Sequence, residues 1–342
     1  MNKILKNIIP CFFAILYALW LSALPFSLFA DRDNYLDYAT DSEGLIDTYK
    51  QLGGWIVLFF REPLWLYFNK WLIFLEDPEL TVQIFVFFVC FSVFIFLYKN
   101  TENIFFFLVF LIFLFFNVQA FAMQLVTFRQ GIGVAFLFWY ILLFKEHLTH
   151  KKLIVLFTCL ALIHASFFII LAVIILDWFL LNYLKFKNVY LRVFTFTIVF
   201  LIINILIAQV AKYLGTKAQL NGEISVGGGA FLMYGVIFLY LLFVKSKKQE
   251  NRVQEFYYIF ALSGLVIYLT SYFTSGIGGR LIGTFIPFFY LAIMYRAKMQ
   301  DLLFVLLLIF VNSSLFFKGA IEGFTKVSVD ELLSEIFSFN IL

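Results

Sequence analysis

The sequence predicts an all-α polytopic membrane protein, with about eleven transmembrane or half-membrane helices and an outer loop that carries interfacial helices. Three observations predict it. Of 342 residues, 63% are hydrophobic and 22% aromatic but only 13% charged, and the mean hydropathy is +0.97. Long apolar runs recur along the whole chain, and basic residues gather between alternate runs. A soluble domain has about a quarter charged residues, so this composition excludes a soluble enzyme. The net charge of +4 says little in itself, and no nucleic acid is expected as a partner. Cys11, Cys90 and Cys159 all lie in apolar runs and read as small hydrophobes, with no disulfide or metal role.

The elements follow in order. Lys3 and Lys6 precede an apolar run over 7–30 that is too long for a signal-peptide core. Leu28-Phe29-Ala30 fits a cleavage site poorly, so an uncleaved first span is expected at 7–29. Further spans are expected at 80–98, 103–122, 127–144, 153–165 and 166–182. The remainder are 193–213, 229–245, 255–274, 281–296 and 301–317. Between them lie Lys99; Lys145, Lys151 and Lys152; Lys185, Lys187 and Arg192; Lys245, Lys247, Lys248 and Arg252; Arg296 and Lys298. With the N-terminus inside, every one of these clusters is cytoplasmic. That agreement requires 153–182 to cross twice in about 30 residues, which predicts two short or re-entrant helices meeting near His164.

Residues 1–342 then form a single integral membrane domain. Its outer parts are a first loop at 30–79, a second at 214–228, turns near 123–128 and 275–280, and a tail at 318–342. The stretch GGWIVLFFREPLWLYFNKWLIF (53–74) is too aromatic for a solvated loop and reads as an interfacial or re-entrant helix pair. On this map Ser42 and Asn221 are outside and Ser246 is inside.

Two arginines stand against the charge bias. Arg129, in TFRQGIG, heads the span at 127–144, and Arg280, after SGIGG (275–279), heads the span at 281–296. VGGG (226–229) precedes a third span. Helix N-termini have unpaired N–H groups and a positive dipole end, and glycines let backbone approach an anion. Two arginines added to such starts suit a bidentate phosphate clamp. The alternative is that each snorkels to the outer head groups.

His164 lies twelve residues after Lys152, roughly 18 Å of helix. That is the outer half of a bilayer about 30 Å thick, where a histidine lines a cavity or serves as a satisfied structural group. DRDNYLDYATDSE (31–43) opens the first loop. Its Asp31 and Asp33 have the D-x-D spacing of a cation site, and equally of a solvated acidic turn. Glu62, beside Arg61 in an aromatic run, is placed either for acid/base work with a raised pKa or for a surface pair with Arg61.

DRDNY with Tyr38 following, the EP of REPLWLYF, TFRQGIG, the H-x-S of LIHASFF, and GGRLIG occur in an order similar to the EpsG/Wzy family of bacterial O-antigen and exopolysaccharide polymerases. The resemblance covers roughly residues 30–290, and the RQ-to-H-x-S spacing is its most specific part. It implies a GT-C-like glycosyltransferase in the bacterial inner membrane, with its active site facing the periplasm and no required cofactor or metal. Such an enzyme moves the growing glycan from undecaprenyl pyrophosphate to the non-reducing end of the next lipid-linked repeat unit. Its partners would be that donor, that acceptor, inner-membrane lipids and a chain-length regulator.

The candidate residues suit that chemistry. Arg129 and Arg280 would hold the pyrophosphate as negative charge develops. His164 would be the base for the acceptor hydroxyl, with Glu62 and Asp33 as second candidates for that role or for sugar binding. Tyr35, Trp55 and Trp65 offer sugar-stacking faces. Asp31, Arg32, Asp33, Tyr35, Arg61, Gln130 and Gly279, which stand in the shared motifs, are the expected substrate-binding residues. DRDNY is denser in charge than a D-x-x-x-Y pattern, which leaves open which aspartate matters. An O-antigen ligase-like transferase would share this constellation. A lipid-linked oligosaccharide flippase would instead line a path across the bilayer with charge, whereas the unusual charges here collect at the outer face.

Overall fold

The structure, a computed structural model, describes residues 5–59, 61–213, 228–246, 251–273 and 277–338. Asn221, most of the second outer loop, Val226 and Gly227 of VGGG, and the Ser275-Gly276 start of SGIGG lie outside the described residues. The helices in chain order are α1 (Leu5–Ser22), α2 (Arg32–Phe59), α3 (Pro63–Leu72), α4 (Pro78–Asn100) and α5 (Ile104–Phe116). Then come α6 (Val118–Leu125), α7 (Phe128–Phe144), α8 (His150–Ala161), α9 (Phe167–Asn182) and α10 (Val189–Tyr213). The last are α11 (Gly229–Tyr240), α12 (Arg252–Ser271), α13 (Ile277–Met294), α14 (Met299–Leu315) and α15 (Val329–Phe337). The bridge between Phe29 and Thr325 is the one β-type pairing among the described residues.

Each segment expected to enter the membrane is helical, but not each is long enough to cross. Among the described residues five helical stretches are long and apolar enough: Pro78–Asn100, Phe128–His147, Val189–Leu206, Arg252–Ser271 and Met299–Ala320. The expected span at 103–122 is two helices, α5 and α6, bent by 84°; counted as one broken span, it raises the number to six. Among the described residues the full-length spans thus number five or six, fewer than the expected eleven segments. Ile8–Ser22, Phe167–Asn182, Gly229–Lys245 and Gly278–Met294 are apolar but shorter. The bend has a local cause. Asn117 caps α6 by accepting from the Ala120 N–H at 3.1 Å, and its amide donates to Asn312 Oδ1 at 2.9 Å.

The chain divides into two compact units. Unit 1 contains Met1–Lys145, Val155–Leu171 and Ile309–Leu342. In it α1 lies along α4, α4 along α7, and α2 against α3 and α4. Small residues make these approaches close: Ala14 and Ala18 of α1 and Val82, Val86, Val89 and Cys90 of α4 are fully buried at helical spacing. Asp77 caps α4 on the Glu79 and Leu80 N–H groups, with Pro78 in the first turn. The first loop is mostly helix. α2 is broken at Asp41, Gly53 and Gly54, and Gly54 has φ 67°, a conformation that glycine adopts without strain. On either side of that break Leu52, Trp55 and Ile56 are about 70% exposed, as are Trp71 and Phe74 further on. An uncovered aromatic surface of this kind suits the membrane interface. The segment expected as a tail is docked: Val329, Leu332 and Ile336 of α15 are buried, and Trp20 Nε1 donates to the Ile336 carbonyl at 2.8 Å.

Unit 2 contains Glu146–Ile154 and Ala172–Leu308, with α12 at its centre against α10, α11 and α13. α12 is buried almost throughout, and a Cβ on Gly264 would lie 2.1 Å from the Phe285 ring. Glycine is required there because only its bare backbone lets α13 come this near.

Ser42 is fully buried, so the accessible reporter for the first loop is the exposed Asp47. In a background lacking the three native cysteines, Asp47→Cys is expected to label with an impermeant maleimide in intact cells. Lys151→Cys, equally exposed, is expected to label only after permeabilisation. Labelling of Lys151→Cys in intact cells would invert the map.

Candidate functional site

The site is built where three chain breaks of unit 1 converge. The first lies between α2 and α3. Pro63 starts α3 with its φ preset, and a residue before proline is disfavoured in the right-handed helical region. Glu62 takes the left-handed region instead, φ 56° and ψ 57°, a conformation costing on the order of 1–3 kcal/mol for a residue with a Cβ. The second break is the start of α7, which carries Arg129 in its first turn. The third is the gap between α8 and α9, where His164 sits with two short helices on either side, as the basic-loop map requires. A backbone bond from Leu64 N–H to the Leu162 carbonyl, 3.0 Å, ties the first break to the third.

Glu62 joins all three. Its Oε1 accepts from His164 Nδ1 at 2.6 Å and from the Ala165 N–H at 2.9 Å, and its Oε2 accepts from Arg129 Nη1. Glu62 is nine-tenths buried, and burial disfavours its charge. The His164 and Arg129 charges and the Ala165 N–H outweigh that penalty and hold the carboxyl down to about 2. The raised value expected for a carboxylate in an aromatic run is thus reversed, because three donors face it. The expected Arg61 pair is absent: Arg61 is exposed and stacks over Tyr49, 5.5 Å from the ring centroid.

Arg129 is fixed on its other sides by aromatic rings. Its guanidinium lies 5.4 Å from the Tyr38 centroid, beside Tyr35. Tyr35 packs on Phe128 at 4.6 Å and on Trp65 at 5.7 Å. The glycines of TFRQGIG are inside α7 rather than in a flexible turn. A Cβ on Gly131 would be 2.5 Å from the Met123 carbonyl, and one on Gly133 would be 2.3 Å from the Phe167 ring. They let α7 pack against the end of α6 and the start of α9, and so set where Arg129 and His164 face Glu62.

What remains open is one side of Arg129 and one side of His164. The Arg129 side chain is 30% exposed and that of His164 25%. His164 Nε2 has no partner among the described residues, and neither have the buried Arg129 Nε and Ser166 Oγ. Ser166 is the serine of the H-x-S motif. Unpaired buried polar atoms are uncommon in folded proteins.

The other expected site residues are placed as follows. Arg32 is fully buried, its Nη1 on the Leu24 carbonyl at 2.7 Å and its guanidinium 4.2 Å from the Phe29 centroid. That enclosure removes it from direct substrate contact. Trp65 is also fully buried and offers no stacking face, whereas Trp55 is exposed beneath Lys50. Asp31 is exposed, and Asp33 pairs with Lys326 at 2.6 Å, which uses one of the two D-x-D carboxylates. Gln130 is buried beside Arg129. In unit 2, Arg280 is exposed in the first turn of α13 next to a half-buried Gly279. Sequence reasoning identified Glu62, Arg129 and His164 singly and missed their mutual contact, along with the Ala165 N–H.

The EpsG family model matches residues 8–324 of the chain. No curated protein and no solved structure matches it.

The depressed Glu62 carboxyl predicts a pH dependence. Its contribution to stability is fully present above the usual 4.5 and is lost as pH falls from there through about 2. Thermal denaturation of the purified protein between pH 7 and pH 3 should show wild type losing stability below pH 4.5 relative to Glu62→Gln. Parallel curves would mean that Glu62 is not an ionised, paired group.

Proposed function

The chain belongs to the EpsG family, whose members have a polysaccharide-polymerase type of role, and on that premise we propose that it is an O-antigen polymerase. The observation that carries the reading is the Arg129–Glu62–His164 arrangement, with one open side on the guanidinium and one on the imidazole. The proposed reaction moves a growing glycan from undecaprenyl pyrophosphate to the non-reducing-end hydroxyl of a lipid-linked repeat unit, at the periplasmic face of the inner membrane.

In this reading Glu62, ionised and facing Nδ1, keeps that nitrogen protonated and leaves Nε2 with a free lone pair. The acceptor hydroxyl gives its proton to Nε2 while its oxygen attacks the donor's anomeric carbon. The bond from that carbon to the pyrophosphate oxygen breaks, and the lipid pyrophosphate leaves with the electron pair. The resulting imidazolium is stabilised by the Glu62 carboxylate 2.6 Å away. Arg129 supplies donors toward the leaving oxygens, where preorganised charge acts most strongly because it needs no reorganisation. Arg280 keeps the role of an anion contact at a helix start and is tested separately.

Glycan ladders from cells carrying single substitutions, at matched protein levels, test the reading. Arg129→Ala should lose roughly 10²–10³ in rate, the usual cost of one donor to a developing anion. His164→Ala should lose about 10²–10⁴ as a missing general base. Arg129→Lys and Arg280→Lys should recover only part of the activity, because an ammonium keeps the charge but loses the planar fork. Wild-type ladders in both Lys variants would reduce the two arginines to membrane anchors.

A further inference from the structure

Unit 2 has a cavity of its own, of about 540 Å³, at the starts of α8, α10 and α12 and the end of α9. Its floor is a charged network. Arg192, 2% exposed, donates to Asp177 through Nε at 2.9 Å and through Nη2 at 2.6 and 2.8 Å. Its Nη1 donates to Glu255 at 2.9 Å, and His150 Nε2 meets Asp177 Oδ2 at 2.9 Å. This floor is satisfied and holds its shape. The rim is not: Lys187 and Arg252 are exposed, line the same cavity, and have no side-chain partner among the described residues.

Three further facts define the ligand. With Lys187, Arg192 and Arg252 against Asp177 and Glu255, the lining is net positive. Three helix N-termini open on it, each adding partial positive charge. The rest of the wall is apolar, formed by Val173, Ile174, Phe256, Ile259 and Phe260. The volume is within the range of small-ligand pockets, roughly 300–1,000 Å³. It admits a phosphate head and a short length of chain.

We propose that this cavity binds the phosphate head group of an anionic membrane lipid, with Lys187 and Arg252 on the phosphate and the first part of an acyl chain against Phe256, Ile259 and Phe260. It lies in the unit that does not contain the Glu62 site and is independent of the polymerase reading. On the basic-loop map it faces the inner leaflet, which is rich in anionic lipid.

The test is a thermal-shift titration of the purified full chain in a nonionic detergent. The probes are dihexanoyl phosphatidic acid, dihexanoyl phosphatidylcholine and inorganic phosphate. Phosphatidic acid should stabilise the protein saturably, with the other two needing roughly tenfold higher concentration or more. Lys187→Ala with Arg252→Ala, both exposed and so removable without loss of folding, should weaken phosphatidic acid by about tenfold or more. Lys151→Ala with Lys152→Ala removes the same charge at exposed positions outside the lining and should leave the midpoint unchanged. No saturable shift overturns the proposal. So does inorganic phosphate matching phosphatidic acid, which would indicate a free-anion site. Equal stabilisation by phosphatidylcholine would leave only the apolar wall, and equal loss in the Lys151/Lys152 variant would indicate diffuse surface charge.

Discussion

Unit 1 is organised around the need of one carboxylate, that of Glu62, to be surrounded by donors. An ion moved out of water loses several kcal/mol of solvation even after relaxation, and a partner removed from a buried pair leaves an uncompensated charge. Glu62 meets that demand with an imidazole and a backbone N–H from the adjacent His164 and Ala165, and a guanidinium from Arg129. The start of α3, the start of α7 and the α8–α9 gap are therefore held to one arrangement by a single side chain. The left-handed backbone at Glu62 is maintained for the same reason, since the three donors are worth more than the strain.

The glycines and rings around this centre follow from it. Gly131 and Gly133 give up a Cβ so that α7 can pack on α6 and α9, and that packing sets the direction from which Arg129 approaches. Tyr38 and Tyr35 occupy the other faces of the guanidinium. Rotamer freedom in a long side chain is lost on ordering, at about 1.5–2 kcal/mol for arginine. Here that loss is borne in the fold, before any substrate arrives.

The sequence made the membrane class and the segment order legible, because both depend on composition and on which side basic residues lie. It also exposed the individual oddities: Arg129 on the outer side, His164 in an apolar run, Glu62 among aromatics. It did not show that these three touch. Glu62 and His164 are 102 residues apart, and no periodicity encodes a contact across two helix breaks. Span length was misread for a related reason. The run at 103–122 is apolar but for Asn103, Asn117 and Gln119, and its bend depends on Asn117 finding Asn312, a partner 195 residues on. The shared DRDNY motif points to Arg32 as a substrate group and residue type points to Trp65, yet tertiary packing encloses both. In a chain this apolar, residue type is a poor guide to burial, because lipid-facing and core-facing positions draw on the same side chains.

Charge balance connects the geometry to the proposed chemistry. At rest Glu62 cancels Arg129, so a neutral His164 leaves the cluster without net charge. In the proposed reaction the imidazole takes a proton as the departing pyrophosphate gains negative charge, and the cluster becomes a net cation. In that reaction the positive charge therefore grows between the resting state and the transition state, and this gain, not tight binding of the resting substrate, is what lowers a barrier. An arginine with no carboxylate beside it would bind the carrier pyrophosphate of donor and product alike and slow release. A carboxylate without the arginine would move upward from its depressed value on burial and lose its hold on His164 Nδ1. Each partner therefore corrects a fault in the other, and the useful property belongs to the three groups in contact.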